Sequence, residues 1–211
     1  CAYCSFVSQS VEKSMKLVPQ FLDALWGDIE ATAQAVRRAG LRPVALYMGG
    51  GTPTTLSAPQ LDELCSRLEE NFDLTQLREY TVEAGRPDTI TRDKLETLKA
   101  HGVRRVSVNP QTMSDSVLEA IGRRHTAQDI VDALSLVREV GGFDVNMDLI
   151  AGLPTDTPEG FAETLSRVLE LAPENVTVHT LSMKRGSNLT VMGGALPEAA
   201  DVGSMLADAL S

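Results

Sequence analysis

Two cysteines three positions apart open the chain, in Cys1-Ala2-Tyr3-Cys4. Thiolates at that spacing can share one metal centre, but a pair cannot complete it. Such a pair also fits a thioredoxin-like dithiol or half of a zinc site. A dithiol motif should open a helix, whereas Ser5–Lys16 reads as loop, and no second Cys/His pair follows to complete zinc. Farther along, Gly49-Gly50-Gly51-Thr52 exposes backbone that can come close to a ligand's amino group. Isolated polar residues then fall one after another: Glu83, Gln111, Arg123 and Asp148. Asp148 interrupts an apolar run, where an unpaired carboxylate is costly, so a site or network role is expected. Glu83, at a strand end, calls for a bound cation or amine. Gln111 reads equally as a cap for a helix after Asn109-Pro110, and Arg123 as a solvated helix-end cation beside Arg124.

A cubane iron-sulfur cluster held by three cysteines in C-x3-C-x2-C leaves one iron open for a small molecule to chelate. Cys1 and Cys4 fit the last two positions, Tyr3 takes the aromatic slot, and the first cysteine is expected four residues before Cys1. The chain therefore reads as a piece that begins inside a motif, with no start methionine, signal peptide or tag ahead of it.

Five apolar runs must position these residues: Val44–Met48, Tyr80–Val82, Val103–Val108, Val145–Ile150 and Val176–Leu181. Bounded by Gly, Pro or Asn, they read as strands buried on both faces of a parallel sheet. Between them Ser57-x-x-Gln60 and Thr126-x-x-Asp129 are capping boxes, and Thr157-Pro158 opens a further helix. Cys65 lies on the stripe Leu61, Leu64, Leu68 and reads as a small buried hydrophobe. Polar residues recur at the C-terminal ends of successive strands, which predicts a barrel mouth rather than the single switch point of a doubly wound sheet. The fold class expected is thus α/β, a partial TIM-like barrel. His125 reads as a surface residue, His179 as either core or site, and Lys184-Arg185 as loop decoration or as partners for substrate carboxylates.

The net charge of −10 argues against a nucleic-acid partner, since phosphate binding needs clustered Lys and Arg. It suits a small-molecule site or an electron-donor protein. No apolar run approaches the roughly 20 residues that span a bilayer, so no membrane partner and a cytoplasmic location are expected. Three cysteines are too few for a disulfide scaffold.

Cys-x-Tyr-Cys-Ser-Phe, Gly-Gly-Gly-Thr-Pro-Thr, the Glu83 strand and Asp148-Leu149-Ile150-x-Gly152-Leu153-Pro154 occur in this order. Together they resemble the radical S-adenosylmethionine enzymes of the oxygen-independent coproporphyrinogen III oxidase family. The resemblance runs from Cys1 to about Ser187. Glu83-Ala84-Gly85-Arg86-Pro87 and Ser107-Val108-Asn109-Pro110-Gln111 depart from the commonest pattern toward the coproporphyrinogen dehydrogenase branch. It implies a (β/α)6 radical SAM barrel lacking its first strand, with a core over 1–187 and a segment, 188–211, leading into further chain. It also implies a 4Fe-4S cluster ligated by Cys1 and Cys4, and S-adenosylmethionine held near Tyr3. Gly50, Gly51 and Thr52 would take the methionine amino group, and Arg123 the methionine carboxylate. Glu83, Gln111 and Asp148 would meet the ribose hydroxyls and neighbouring polar atoms. The implied reaction is oxidative decarboxylation of coproporphyrinogen III propionates to vinyl groups in heme biosynthesis, with flavodoxin or ferredoxin as electron donor. A heme chaperone of the same fold and a non-catalytic barrel scaffold stand as alternatives.

Overall fold

Short β-branched and apolar runs alternate with amphipathic stretches, and in the computed structural model each run becomes one strand of a five-stranded parallel sheet. The structure describes residues 2–4, 11–192 and 196–210. Helix α1 (Val11–Arg38) leads into β1 (Ala45–Met48), α2 (Ala58–Asn71), β2 (Glu79–Glu83), α3 (Arg92–Ala100) and β3 (Arg105–Ser107). There follow α4 (Asp115–Ala120), α5 (Ala127–Val140), β4 (Asp144–Ala151), α6 (Pro158–Glu170), β5 (Asn175–Thr180), α7 (Asn188–Met192) and α8 (Ala199–Leu210). The strands pair in chain order, with registers such as Tyr47↔Thr81, Glu83↔Ser107, Ser107↔Asn146 and Asp148↔Thr177. Parallel crossovers of one hand put the connecting helices on one face and leave the other face to form a barrel interior.

The core lies between sheet and helices. Leu61, Leu95, Leu98, Ile130, Leu149 and Phe161 are at most 1% exposed, and each such side chain contributes about 1.5–3 kcal/mol when fully buried. Cys65 belongs to this core, as its stripe implies, and the Tyr80 hydroxyl donates to its sulfur at 3.3 Å. Burial pushes the Cys65 thiol up from its ordinary range. The capping residues act as their sequence predicts: Ser57 N–H donates to Gln60 at 2.9 Å and Thr126 N–H to Asp129 at 2.7 Å. The Thr157 hydroxyl accepts from Gly160 N–H at 3.1 Å.

Two expectations need correction. The strands are not all buried on both faces: Tyr47 on β1 is 60% exposed, and His179 and Thr180 end β5 exposed. Among the described residues β1 and β5 are the outer strands of this sheet, so neither has a second neighbouring strand there. The stretch Ser5–Lys16 is not all loop either. From Val11 the chain is helical, because α1 carries Leu22, Ile29 and Ala33 at helical spacing into the core. Ser5 to Ser10 lie outside the described residues.

At the other end α8 packs on α6, β4 and β5, with Met205 fully buried. Gly152 N–H donates to Met205 Sδ at 3.3 Å, and a Cβ on Gly152, whose φ is +87°, would meet Val202 at 3.0 Å. Among the described residues no helix is long and apolar enough to cross a membrane.

His101, after α3, reaches Asp62 at 2.9 Å and Glu69 at 2.7 Å on α2. Burial alone lowers its pKa, but the two carboxylates outweigh burial and raise it above the ordinary 6.5. A raised folded pKa gives stability that is whole below pH 6.5 and is lost as pH rises through the folded value. Both carboxylates are largely solvated, so the effect is discounted to about 0.2–1 kcal/mol. Denaturant midpoints at pH 6 and pH 8.5 should fall more in the wild type than in His101→Gln; parallel falls would refute the clamp.

Candidate functional site

Alternation along the strands sorts the side chains. On β1, Leu46 and Met48 pack against the core under the helices, so Ala45 and Tyr47 face the barrel interior. On β2, Tyr80 and Val82 take the core side and Glu79, Thr81 and Glu83 the inner one. The inner face is polar across the sheet. Arg105 donates to Asn146 at 3.0 Å and stands 3.7 Å from Glu79, while Asn175 and Thr177 both donate to Asn146 Oδ1. This network ties β2 to β5 across the inner face at the N-terminal ends of the strands and leaves the C-terminal strand ends as the mouth.

The glycine turn after β1 is fastened to β2 at that mouth. The Tyr47 hydroxyl donates to Glu83 Oε1, and Gly50 N–H donates to Glu83 Oε2 at 3.2 Å. A Cβ on Gly49 would collide with the Tyr47 ring and lie 2.9 Å from Glu83 Cδ, so a larger residue there must displace one of them. Gly50, with φ +107°, and Gly51 are exposed with nothing near a notional Cβ. The Thr52 hydroxyl makes no capping bond. Behind the turn, Lys94 on α3 donates to Thr54 O at 2.7 Å and Thr89 O at 3.1 Å, bracing the loops after β1 and β2 together.

Arg123, after α4, organises the next loops. Its Nη1 donates to Asn109 O at 3.0 Å and Gly85 O at 3.3 Å, and its Nη2 to the Tyr3 hydroxyl at 3.3 Å. Ala2 N–H donates to Ile121 O at 2.8 Å and Ala2 O accepts from Leu189 N–H at 2.7 Å. The short cysteine segment is thereby docked between α4 and α7. Cys4 in it is a free, partly exposed thiol, while Cys1 lies outside the described residues. Arg123 Nε and Asn109 Oδ1 are buried without a partner among the described residues.

Gln111 does not cap a helix. Its backbone, at φ +70°, pairs with β4: Gln111 N–H donates to Asp148 O at 2.9 Å and Gln111 O accepts from Ile150 N–H at 3.0 Å. The helix that follows starts at Asp115 with Ser114 as its cap. The Asp148 carboxylate, half-buried on the inner face, accepts from Asn146 at 2.6 Å. Gln111 and Asp148 are thus adjacent through backbone pairing across β4.

His125 is not a surface residue: it is 8% exposed, its Nε2 has no partner among the described residues, and burial with nearby Arg123 pulls its pKa down to about 4. Arg123 lies in the same turn and disfavours a second cation there. His179 is exposed on the inner side of β5, and Lys184 and Arg185 are exposed beyond it. Tyr47 and Gly85 belong to the mouth without having been singled out. The alternation Ala45, Tyr47 against Leu46, Met48 was the available signal for Tyr47; the carbonyls that Arg123 holds leave no trace in residue types.

The mouth therefore offers a free thiol, open glycine backbone and a hydroxyl, two carboxylates, and a guanidinium with three of its five N–H groups engaged by described residues. That donor set fits a soft metal cluster beside a ligand carrying an ammonium group, a carboxylate and hydroxyls. Among the described residues no three His, Cys, Asp or Glu side chains converge on a metal position, so the metal reading rests on the loop of Cys1 and Cys4.

Comparison with known proteins agrees. The sequence profile of the Radical SAM superfamily matches residues 1–168. The chain is 40% identical over 191 residues to the oxygen-independent coproporphyrinogen-III oxidase-like protein HemZ of Bacillus subtilis, covering 90% of this chain and 38% of that protein. It is 33% identical over 182 residues to the heme chaperone HemW of the same organism, covering 86% of this chain and 47% of HemW. Coproporphyrinogen III oxidase (HemN) from Escherichia coli, a radical SAM enzyme, superposes with a TM-score of 0.84 at 32% identity, over 100% of this chain and 48% of that one. The chain thus spans less than half the length of each. With its parallel α/β barrel, its cysteine loop docked beside a glycine-rich mouth, and a profile match over most of its length, this chain belongs to the radical SAM superfamily, whose cofactors are a 4Fe-4S cluster and S-adenosylmethionine.

Proposed function

We propose that the protein carrying this chain is an oxygen-independent coproporphyrinogen III oxidase-type enzyme that converts propionate side chains of coproporphyrinogen III to vinyl groups. The observation that carries the reading is the meeting of cysteine loop, glycine turn and Arg123 at one mouth, in a chain 40% identical to HemZ. Cys1 and Cys4, with a third cysteine upstream, hold the cluster, and Tyr3 lies against the bound S-adenosylmethionine. The Gly50 and Gly51 carbonyls and the Thr52 hydroxyl accept from the methionine ammonium. Arg123 meets the methionine carboxylate through its guanidinium. Glu83, Gln111 and Asp148 orient the ribose side of the ligand. When bound, the two cofactors supply one-electron chemistry that removes a hydrogen atom from substrate. The chain's own residues bind, orient and shield. Flavodoxin or ferredoxin is the proposed electron source, and the −10 charge suits no nucleic-acid partner.

A second reading, a heme chaperone, is favoured by the 33% identity to HemW. Anaerobic reconstitution of the full-length protein separates the two. Formation of 5'-deoxyadenosine together with loss of carbon dioxide from coproporphyrinogen III, both abolished in Cys4→Ala, is the expected result. Heme binding without decarboxylation would support the chaperone reading instead. Absence of both cluster and cleavage would leave a non-catalytic scaffold.

A further inference from the structure

Tyr47 is 60% exposed, yet its hydroxyl is not left to water: it bonds the Glu83 carboxylate across the β1–β2 pair. The phenol O–H is the donor and the Glu83 carboxylate the acceptor. The other carboxylate oxygen takes Gly50 N–H at 3.2 Å. Each oxygen of Glu83 is thereby held by one protein donor and keeps a second lone pair for a ligand. Without Tyr47 only the longer Gly50 contact would restrain the carboxylate's rotation. The phenol's own lone pairs remain available, so Tyr47 and Glu83 together present acceptors to a donor-rich group such as a vicinal diol or an ammonium. Burial, the Glu83 bond and the Asp148 charge all raise the pKa of the Tyr47 phenol, which keeps it a donor.

We propose that Tyr47 is a positioning residue, holding the Glu83 carboxylate in the orientation that receives the donor groups of S-adenosylmethionine. The inference rests on the reading of Glu83 as a cofactor contact. It is tested in the full-length reconstituted protein with Tyr47→Phe, Glu83→Gln and the double variant, reading the S-adenosylmethionine dissociation constant by equilibrium dialysis and iron content by assay. Tyr47→Phe should raise the dissociation constant about 12- to 160-fold, the scale of one hydrogen bond to a charged group, with iron content unchanged. In the Glu83→Gln background the same substitution should add less than twofold, because its effect passes through Glu83. Additive effects, or iron lost in Tyr47→Phe, would overturn the inference. So would an unchanged constant in Tyr47→Phe while Glu83→Gln weakens binding, an outcome that leaves the Glu83 reading standing. Unchanged binding in both single variants would remove the Glu83 reading and this inference with it.

Discussion

Gly49→Ala is expected to weaken S-adenosylmethionine binding by about 5- to 160-fold in the reconstituted full-length protein, the scale of one to three kcal/mol of overpacking. The added methyl would enter the Tyr47 ring edge and sit 2.9 Å from Glu83 Cδ and 3.0 Å from its Oε1. Neither neighbour is a free flexible end, since the phenol and the carboxylate are bonded to each other and Gly50 N–H holds the second oxygen. The methyl must therefore break the clasp or lift the turn away from β2. Gly51→Ala is the internal control: nothing lies within 4 Å of its notional Cβ, so binding should change little. Equal losses in the two variants would show that the turn needs flexibility rather than close approach at Gly49.

Arg123→Met is expected to be the most damaging single change. It removes the partner of two carbonyls and of the Tyr3 hydroxyl, and with it the cation proposed for the ligand carboxylate. Hydrogen bonds to a charged group stabilise by about 1.5–3 kcal/mol, so a loss of about 2–4 kcal/mol in unfolding free energy is expected, together with at least 100-fold weaker binding of S-adenosylmethionine. Arg123→Lys should not rescue it, because one ammonium cannot reproduce the planar fork that serves three acceptors. Faster amide exchange at Ala2 to Cys4 is the local signature. An Arg123→Met protein with normal iron content and an unchanged denaturant midpoint would refute the tether.

The departures from expectation share a cause. Reading β1 and β5 as buried on both faces followed from their apolar composition, but burial depends on neighbours that sequence does not place, and these are the outer strands. His125 looked solvated because it follows two arginines; the fold instead packs it away, and burial keeps it neutral. Residue type left Gln111 open between a helix cap and a site residue; its positive φ and its pairing with β4 answer to long-range hydrogen bonds, which no local pattern encodes.

The sequence by itself determined what is local: five apolar runs, the caps at Ser57, Thr126 and Thr157, the buried place of Cys65, and the motif residues at strand ends. These follow from periodicity, capping chemistry and spacing, which act within a few residues. Only the tertiary structure decided which of those residues touch. Tyr47 reaches Glu83 because β1 and β2 pair in one register, and Arg123 reaches Tyr3 because Ala2 is bonded to Ile121 and Leu189. Contacts between residues 36 or 120 positions apart are set by how strands and loops stack, and that geometry is a property of the whole fold.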